Sequence, residues 1–246
     1  MSLLITGAGG TLGREVAACL PAALTPTSAE LDVRSAEQVD RFIAERHVDT
    51  VIHCAARTSV RECETDRQAA FDVNVNGTRA LCSALAKHVE KPLLVYVSTA
   101  CVFPGDEPEK LYAEDDVPHP KNYYALTKLL SENTILEWVD CDPKRKALIV
   151  RTNFAERGKW KYPRAFVDRF GTYLFPDLVA RRLVELVDED VEGVVHVCGN
   201  RRLSMFEFAR LSDPDVGPVS LDAYVGPPVT VNMCLASNRI PPIALR

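Results

Sequence analysis

The sequence predicts an α/β fold, a doubly wound parallel sheet with a small C-terminal cap. Three observations carry that expectation. Short apolar runs alternate with longer segments whose apolar residues recur at helical spacing. The first run ends in a glycine cluster that opens the first helical segment. The chain has 246 residues, 47% hydrophobic and 26% charged, enough to build a core on both faces of a sheet.

The elements follow in order. Leu3-Leu4-Ile5 is the first strand, and a helix runs on through Val16 and Leu20. Residues 22–24 are a second strand, and Leu31-Asp32-Val33 closes a short loop. Residues 36–45 form a helix with Val39, Phe42 and Ile43 on one face. Val51-Ile52-His53-Cys54 is a buried strand, and 68–88 is one long helix. Residues 93–97 are the fourth strand, 124–138 a helix and 147–150 the fifth strand. A helix over 177–186, a strand over 194–197 and a short helix over 205–211 complete the series. Alternation of this kind implies right-handed crossovers and a sheet covered on both faces. Beyond Arg151 the pattern loosens: 155–176 shows no clean period, and the tail from Asp213 is rich in Pro, Gly and Val.

Composition excludes several classes. The net charge of −5, from 29 basic and 34 acidic side chains, argues against a nucleic-acid partner. No apolar stretch approaches the roughly 20 residues that span a bilayer, and no leader is visible after Met1, so a cytoplasmic protein without membrane contact is expected. The eight cysteines are scattered, with no Cys-x-x-Cys and no histidines at ligand spacing. Reduced thiols are expected, and no metal site.

Thr6-Gly7-Ala8-Gly9-Gly10-Thr11-Leu12-Gly13 joins the first strand to the first helix. Gly7 permits a tight turn, Gly10 lets the backbone approach a pyrophosphate, and Gly13 allows close helix–sheet packing. The helix N-terminus then faces the negative charge. The bland alternative, a glycine-rich connecting turn, loses ground because the cluster sits in the first strand–helix unit.

This Gly-x-x-Gly-x-x-Gly spacing resembles the extended short-chain dehydrogenase/reductase superfamily, in its nucleotide-sugar branch. The resemblance covers most of residues 1–154. It implies a Rossmann-type, NAD(P)-binding domain with the catalytic residues over 1–154. It leaves 155–246 as a reduced substrate-binding region with elements returning to the sheet. It places Gly7, Gly10, Thr11, Leu12 and Gly13 at the cofactor, Asp32 and Val33 beside the adenine, and Ala55 and Ala56 under the pyrophosphate and ribose. Asn74-Val75-Asn76-Gly77-Thr78 matches an Asn-Val-x-Gly-Thr helix start, with Asn74 at the cofactor. The cofactor is NAD or NADP. Residues 24–28 carry neither the acid that suits NAD nor the base that suits NADP, and Arg14 and Arg57 are the nearest cations.

Tyr124-Ala-Leu-Thr-Lys128 supplies a Tyr-x-x-x-Lys pair. Residues four apart share a helix face, so the Lys128 ammonium near the Tyr124 phenol would favour phenolate and bring its pKa toward working pH. Tyr124 then becomes a proton donor to a carbonyl oxygen receiving hydride, and the resemblance implies that Lys128 also holds the nicotinamide ribose. Tyr123, the rival, points off that face. Thr99 falls where the family has its Ser or Thr and would orient the substrate oxygen, with Ser98 as the alternative.

Ala100-Cys101 stands where nucleotide-sugar dehydratases carry an Asp-Glu pair, which disfavours water elimination. Thr99-Ala-Cys-Val-Phe-Pro-Gly, Arg57-Thr58-Ser59-Val60 and Val150-Arg151-Thr152 are most similar to segments of the dTDP-4-dehydrorhamnose reductases. That resemblance implies an oxidoreductase acting on a 4-keto nucleotide sugar, with Thr58, Thr99, Cys101, Arg151 and Phe154 at the substrate. Cys101 also fits the register of the epimerisation base of GDP-L-fucose synthase, but 151–195 holds no histidine to serve as its partner acid. A third reading is a cofactor-binding regulatory subunit without turnover, as in the methionine adenosyltransferase β subunit. The stretch Arg157-Gly-Lys-Trp160-Lys161-Tyr162-Pro-Arg164 mixes cations and aromatics that suit a diphosphate and a base, or a solvated loop equally. The family also implies a homodimer through the helices bearing Asn74 and Tyr124.

Overall fold

The computed structural model describes residues 2–245. Its centre is a five-stranded, wholly parallel sheet. In chain order the strands are β1 (Leu3–Thr6), β2 (Thr50–His53), β3 (Leu93–Thr99) and β4 (Lys146–Thr152), and β7 (Gly193–Val197) lies beside β4. In register, Leu4 faces Val51, Val51 faces Leu94, Leu94 faces Ala147 and Ile149 faces Val194.

Side chains alternate across a strand, so neighbouring residues feed opposite cores. Leu4, Val51, Leu94 and Ile149 join one core with residues of α2 (Ala36–Arg46), α5 (Gly77–His88) and α6 (Tyr123–Asp140). Ile5, Ile52, Val95 and Leu148 join the other, under α1 (Thr11–Cys19) and α7 (Pro176–Asp188). The strands therefore read as continuous apolar runs because both faces are covered.

Two expectations are corrected. Residues 22–24 do not form a strand: Leu24 alone bridges Leu4, with its N–H donating to the Leu3 carbonyl and its carbonyl accepting from Ile5, both at 2.8 Å. Pro21 and Pro26 frame it, and neither can donate to a ladder. The long helix over 68–88 is divided. After α3 (Val60–Thr65), α4 (Arg67–Phe71) widens into a π-turn at Asp72–Asn76 before α5 begins. There the Thr78 and Ser131 hydroxyls both donate to the Asn74 carbonyl, at 2.7 and 2.8 Å, satisfying it as the helix widens.

After β4 the chain leaves the sheet. β5 (Arg164–Phe166) pairs with β9 (Gly217–Val219). β6 (Phe170–Gly171) lies between β8 (Leu203–Ser204) and β10 (Asn232–Met233). The short α8 (Met205–Ala209) is opened by a reciprocal Ser204–Glu207 cap. The tail returns along β7, where Ile243 bridges Gly199 and Arg239 Nη1 donates to the Glu192 and Val194 carbonyls at 2.7 and 2.8 Å.

Candidate functional site

The glycine loop is closed on itself. Gly7 has φ +71°, and a Cβ there would lie 2.6 Å from the Ala55 nitrogen. A Cβ on Gly13 would lie 2.1 Å from the Gly7 carbonyl oxygen, which also accepts the Gly10 N–H at 2.9 Å. A Cβ on Gly9 would meet nothing within 4 Å, so the loop's other side is open. Beneath it Thr6 Oγ1 and His53 Nδ1 share a 2.6 Å hydrogen bond. Burial, and then the Lys128 charge, push the His53 imidazole down to about 3, so it is neutral at working pH.

Two clefts run along this loop and share Gly10, Cys54 and Ala56. The first, about 570 Å³, is lined by Gly7, Thr25, Ser28, Asp32, Val33 and Ala55 among others. Asp32 is held bidentately by Arg34, with Nε donating at 2.9 and 3.0 Å and Nη2 at 2.6 Å. The second cleft, about 440 Å³, gathers Thr11, Leu12, Gly13 and Thr58 with Thr99, Tyr124, Lys128 and Phe154. Helix spacing brings Tyr124 and Lys128 to one face of α6, while the end of β3 delivers Thr99. Tyr123 turns elsewhere: its N–H donates to Glu64 at 2.7 Å and its ring lies under Arg67.

The electrostatics differ from the sequence expectation. Burial pushes the Tyr124 phenol well up, Cys101 adds to that, and the Thr99 hydroxyl offsets part of it. Lys128 is not among the groups that bring the phenol down, and its Nζ sits 4.0 Å from the centroid of the Tyr96 ring. Burial pushes Lys128 itself down to about 7, opposed by Glu132 and Cys54. In this cleft Tyr124 is firmly a protonated acid, and Lys128 titrates near neutrality.

Three predicted residues do not line either cleft. Asn74 is buried under the π-turn. Its Oδ1 accepts from the Arg57 N–H at 2.8 Å, and its Nδ2 donates to the Arg57 carbonyl and Thr127 Oγ1. Arg151 points into the core, where Nη2 meets Glu132 Oε2 at 2.7 Å. Cys101 packs its thiol 3.5 Å from Met233 Sδ, while its N–H donates to Thr99 Oγ1. His196, the first histidine after β4, has Nδ1 held by the Tyr112 and Ala236 carbonyls at 3.1 and 2.8 Å.

Sequence reasoning missed Thr152, Asn153 and the cluster of Ser98, Glu132 and His196 around Arg151. Thr152 and Asn153 line the second cleft, and the buried Thr152 hydroxyl has no partner among the described residues. Glu132 was within reach of the sequence, four residues after Lys128 on the same face; its strand partners were not. Among the described residues no group of His, Cys, Asp or Glu is placed to hold a metal, and no helix is long and apolar enough to cross a membrane.

The family described as RmlD substrate binding domain matches residues 1–214. A dTDP-4-dehydrorhamnose reductase of Mycolicibacterium smegmatis is 31% identical over 235 residues, covering 87% of this chain and 69% of that protein. The crystal structure of dTDP-4-dehydrorhamnose reductase from Bacillus anthracis in complex with NADP superposes with a TM-score of 0.84 at 26% identity, covering 97% of this chain and 92% of that one. The chain is also 27% identical to methionine adenosyltransferase 2 subunit beta of Rattus norvegicus over 239 residues, 84% of this chain and 70% of that protein.

Proposed function

The chain belongs to the RmlD substrate binding domain family, and on that premise we propose that it is an NAD(P)H-dependent reductase of a 4-keto nucleotide sugar. The observation that carries the reading is the meeting of Thr99, Tyr124 and Lys128 in one cleft that continues into the glycine loop.

The loop fits a dinucleotide. Its open Gly9 side and the unpaired first-turn N–H groups of α1 suit a pyrophosphate, and the partnerless Thr152 hydroxyl suits a polar group in the second cleft. Gly7, Gly10, Thr11, Leu12 and Gly13 would hold the phosphates, Asp32 and Val33 the adenosine end, Ala55 and Ala56 the ribose side, and Lys128 the second ribose. Asn74 serves the site indirectly, by pinning the Arg57 backbone. When bound, the nicotinamide supplies hydride to the keto carbon. Thr99 orients the keto oxygen, and Tyr124, kept protonated by its burial, delivers the proton to it.

Residues 1–154 carry these groups, and 155–246 form the substrate cover. A third cavity of about 280 Å³ supports that division. Phe154, Glu156, Lys159, Trp160, Lys161 and Tyr162 line it, offering cations and aromatic faces to a diphosphate and a base. A cytoplasmic setting is supported by eight free cysteines. A homodimer through the helical segments bearing Asn74 and Tyr124 is supported by the exposed Leu126 and Leu136 on α6, and a light-scattering mass near 27.2 kDa would reject it.

The test is a panel of dTDP-, UDP- and GDP-linked 4-keto sugars followed at the NAD(P)H absorbance. Oxidation with one of them is expected, and Tyr124→Phe should lower kcat by about 10²–10⁴-fold while cofactor binding persists. Tight cofactor binding without turnover on any sugar would overturn the reading. It would favour a regulatory role, which the likeness to the adenosyltransferase subunit supports.

A further inference from the structure

Lys128 is a buried cation without a bonded counter-ion. It is 3% exposed and makes no hydrogen bond or ion pair among the described residues, and its Nζ sits over the Tyr96 ring face. One helical turn further along α6 lies Glu132, 1% exposed. Arg151 Nε donates to both Glu132 oxygens at 3.1 and 3.2 Å, Nη2 donates to Oε2 at 2.7 Å, and Ser98 Oγ donates to Oε1. Arg151 is itself fixed, with Nη1 3.5 Å from His196 Nε2 and its guanidinium over the Phe103 ring. The carboxylate is thus clamped from β3 and β4, with β7 behind.

We propose that Glu132 is a positioning residue for Lys128: its clamped charge favours the ammonium form of Lys128 from a distance, leaving Nζ free to serve the cleft. A direct ion pair would stabilise the charge more strongly but draw Nζ down the helix, away from Tyr124 and the ribose. Arg151 and Ser98 prevent that by engaging the carboxylate first.

The other groups facing Lys128 supply no competing counter-charge. Burial pushes the Cys54 thiol up to about 12 and the His53 imidazole down to about 3, so both are neutral near pH 7. The Tyr96 and Tyr124 phenols are pushed up and stay protonated. The Arg151 cation is engaged by Glu132, and burial pushes His196 down toward its neutral form.

The ribose role rests on the function proposed above; the charge on Lys128 does not, so the test reads that charge directly. In the cofactor-free full chain, the Lys128 Nζ titration is followed by NMR of ¹³Cε-labelled lysine. Glu132→Gln is expected to lower the inflection by at least about one pH unit, a tenfold loss of proton affinity. Because that variant strands the Arg151 charge, Glu132→Gln/Arg151→Met is made alongside. It should recover the melting temperature yet keep the lowered inflection, whereas Glu132→Asp should restore it. NAD(P)H affinity in the double variant should fall about tenfold at pH 7.5 and match wild type at pH 5.5, where Lys128 is protonated in both. An unmoved inflection in the double variant overturns the proposal even if the sugar panel succeeds. A shifted inflection sustains it even if the panel finds no substrate.

Discussion

His53 shows how much a single residue constrains the pH behaviour of this chain. Its fully buried ring is neutral in the fold, with the pKa pushed from 6.5 down to about 3 by burial first and Lys128 second. Between those values the unfolded chain binds a proton that the folded chain refuses. Stability is therefore held above pH 6.5 and lost as pH falls toward 3, by up to about 1.4 kcal/mol per pH unit for this one proton. Urea midpoints at pH 7, 5 and 4 should fall less steeply in His53→Asn than in wild type; equal slopes would assign the acid limb to other groups. Thr99, Tyr124 and Lys128 were readable because each sits in a short motif of fixed spacing. The cluster around Arg151 was not, since Glu132 and His196 reach it, and Ser98 reaches Glu132, from three separate elements, and side-chain direction leaves no mark in the sequence.

Among the elements, α1 depends most on a single missing carbon. A Cβ at Gly13 would sit 2.1 Å from the Gly7 carbonyl oxygen, backbone against backbone. Gly13→Ala is expected to cost about 1–3 kcal/mol and to weaken NAD(P)H binding by reshaping the loop. Gly9→Ala, with nothing within 4 Å, should leave the melting temperature unchanged. Thermal melts and cofactor titrations of the two variants check both statements. The glycine pattern makes this element legible in the sequence alone. The division of 68–88 was not legible, because one extra residue in a π-turn leaves the apolar periodicity on either side intact. The strand expected at 22–24 failed for a reason already present in the sequence: two prolines stood beside it.

Across the whole molecule, the alternation of apolar runs and helices was enough to read the parallel sheet. The region after β4 resisted because its strands are two or three residues long and find partners far along the chain, as Arg164 does with Gly217 and Phe170 with Asn232. The tail is the final such partner: Ile240, Ile243 and Leu245 pack against the α1–α7 core. Deleting residues 237–246 is expected to lower Tm by roughly 5–10 °C. A differential scanning calorimetry trace unchanged from wild type would show the tail to be energetically idle.

Both rims of the sheet are closed by chemistry that a neighbouring chain cannot copy. On the β1 side the proline-framed Leu24 bridge takes up the Leu3 carbonyl and the Ile5 N–H. On the β7 side Arg239 occupies the Glu192 and Val194 carbonyls, and Glu114 accepts the His196 N–H at 2.9 Å. Unpaired rims are where folded proteins recruit one another into aggregates. The same tail that completes the core thus also guards this chain's colloidal behaviour, and the shortened chain should scatter light on warming before it has lost its secondary structure.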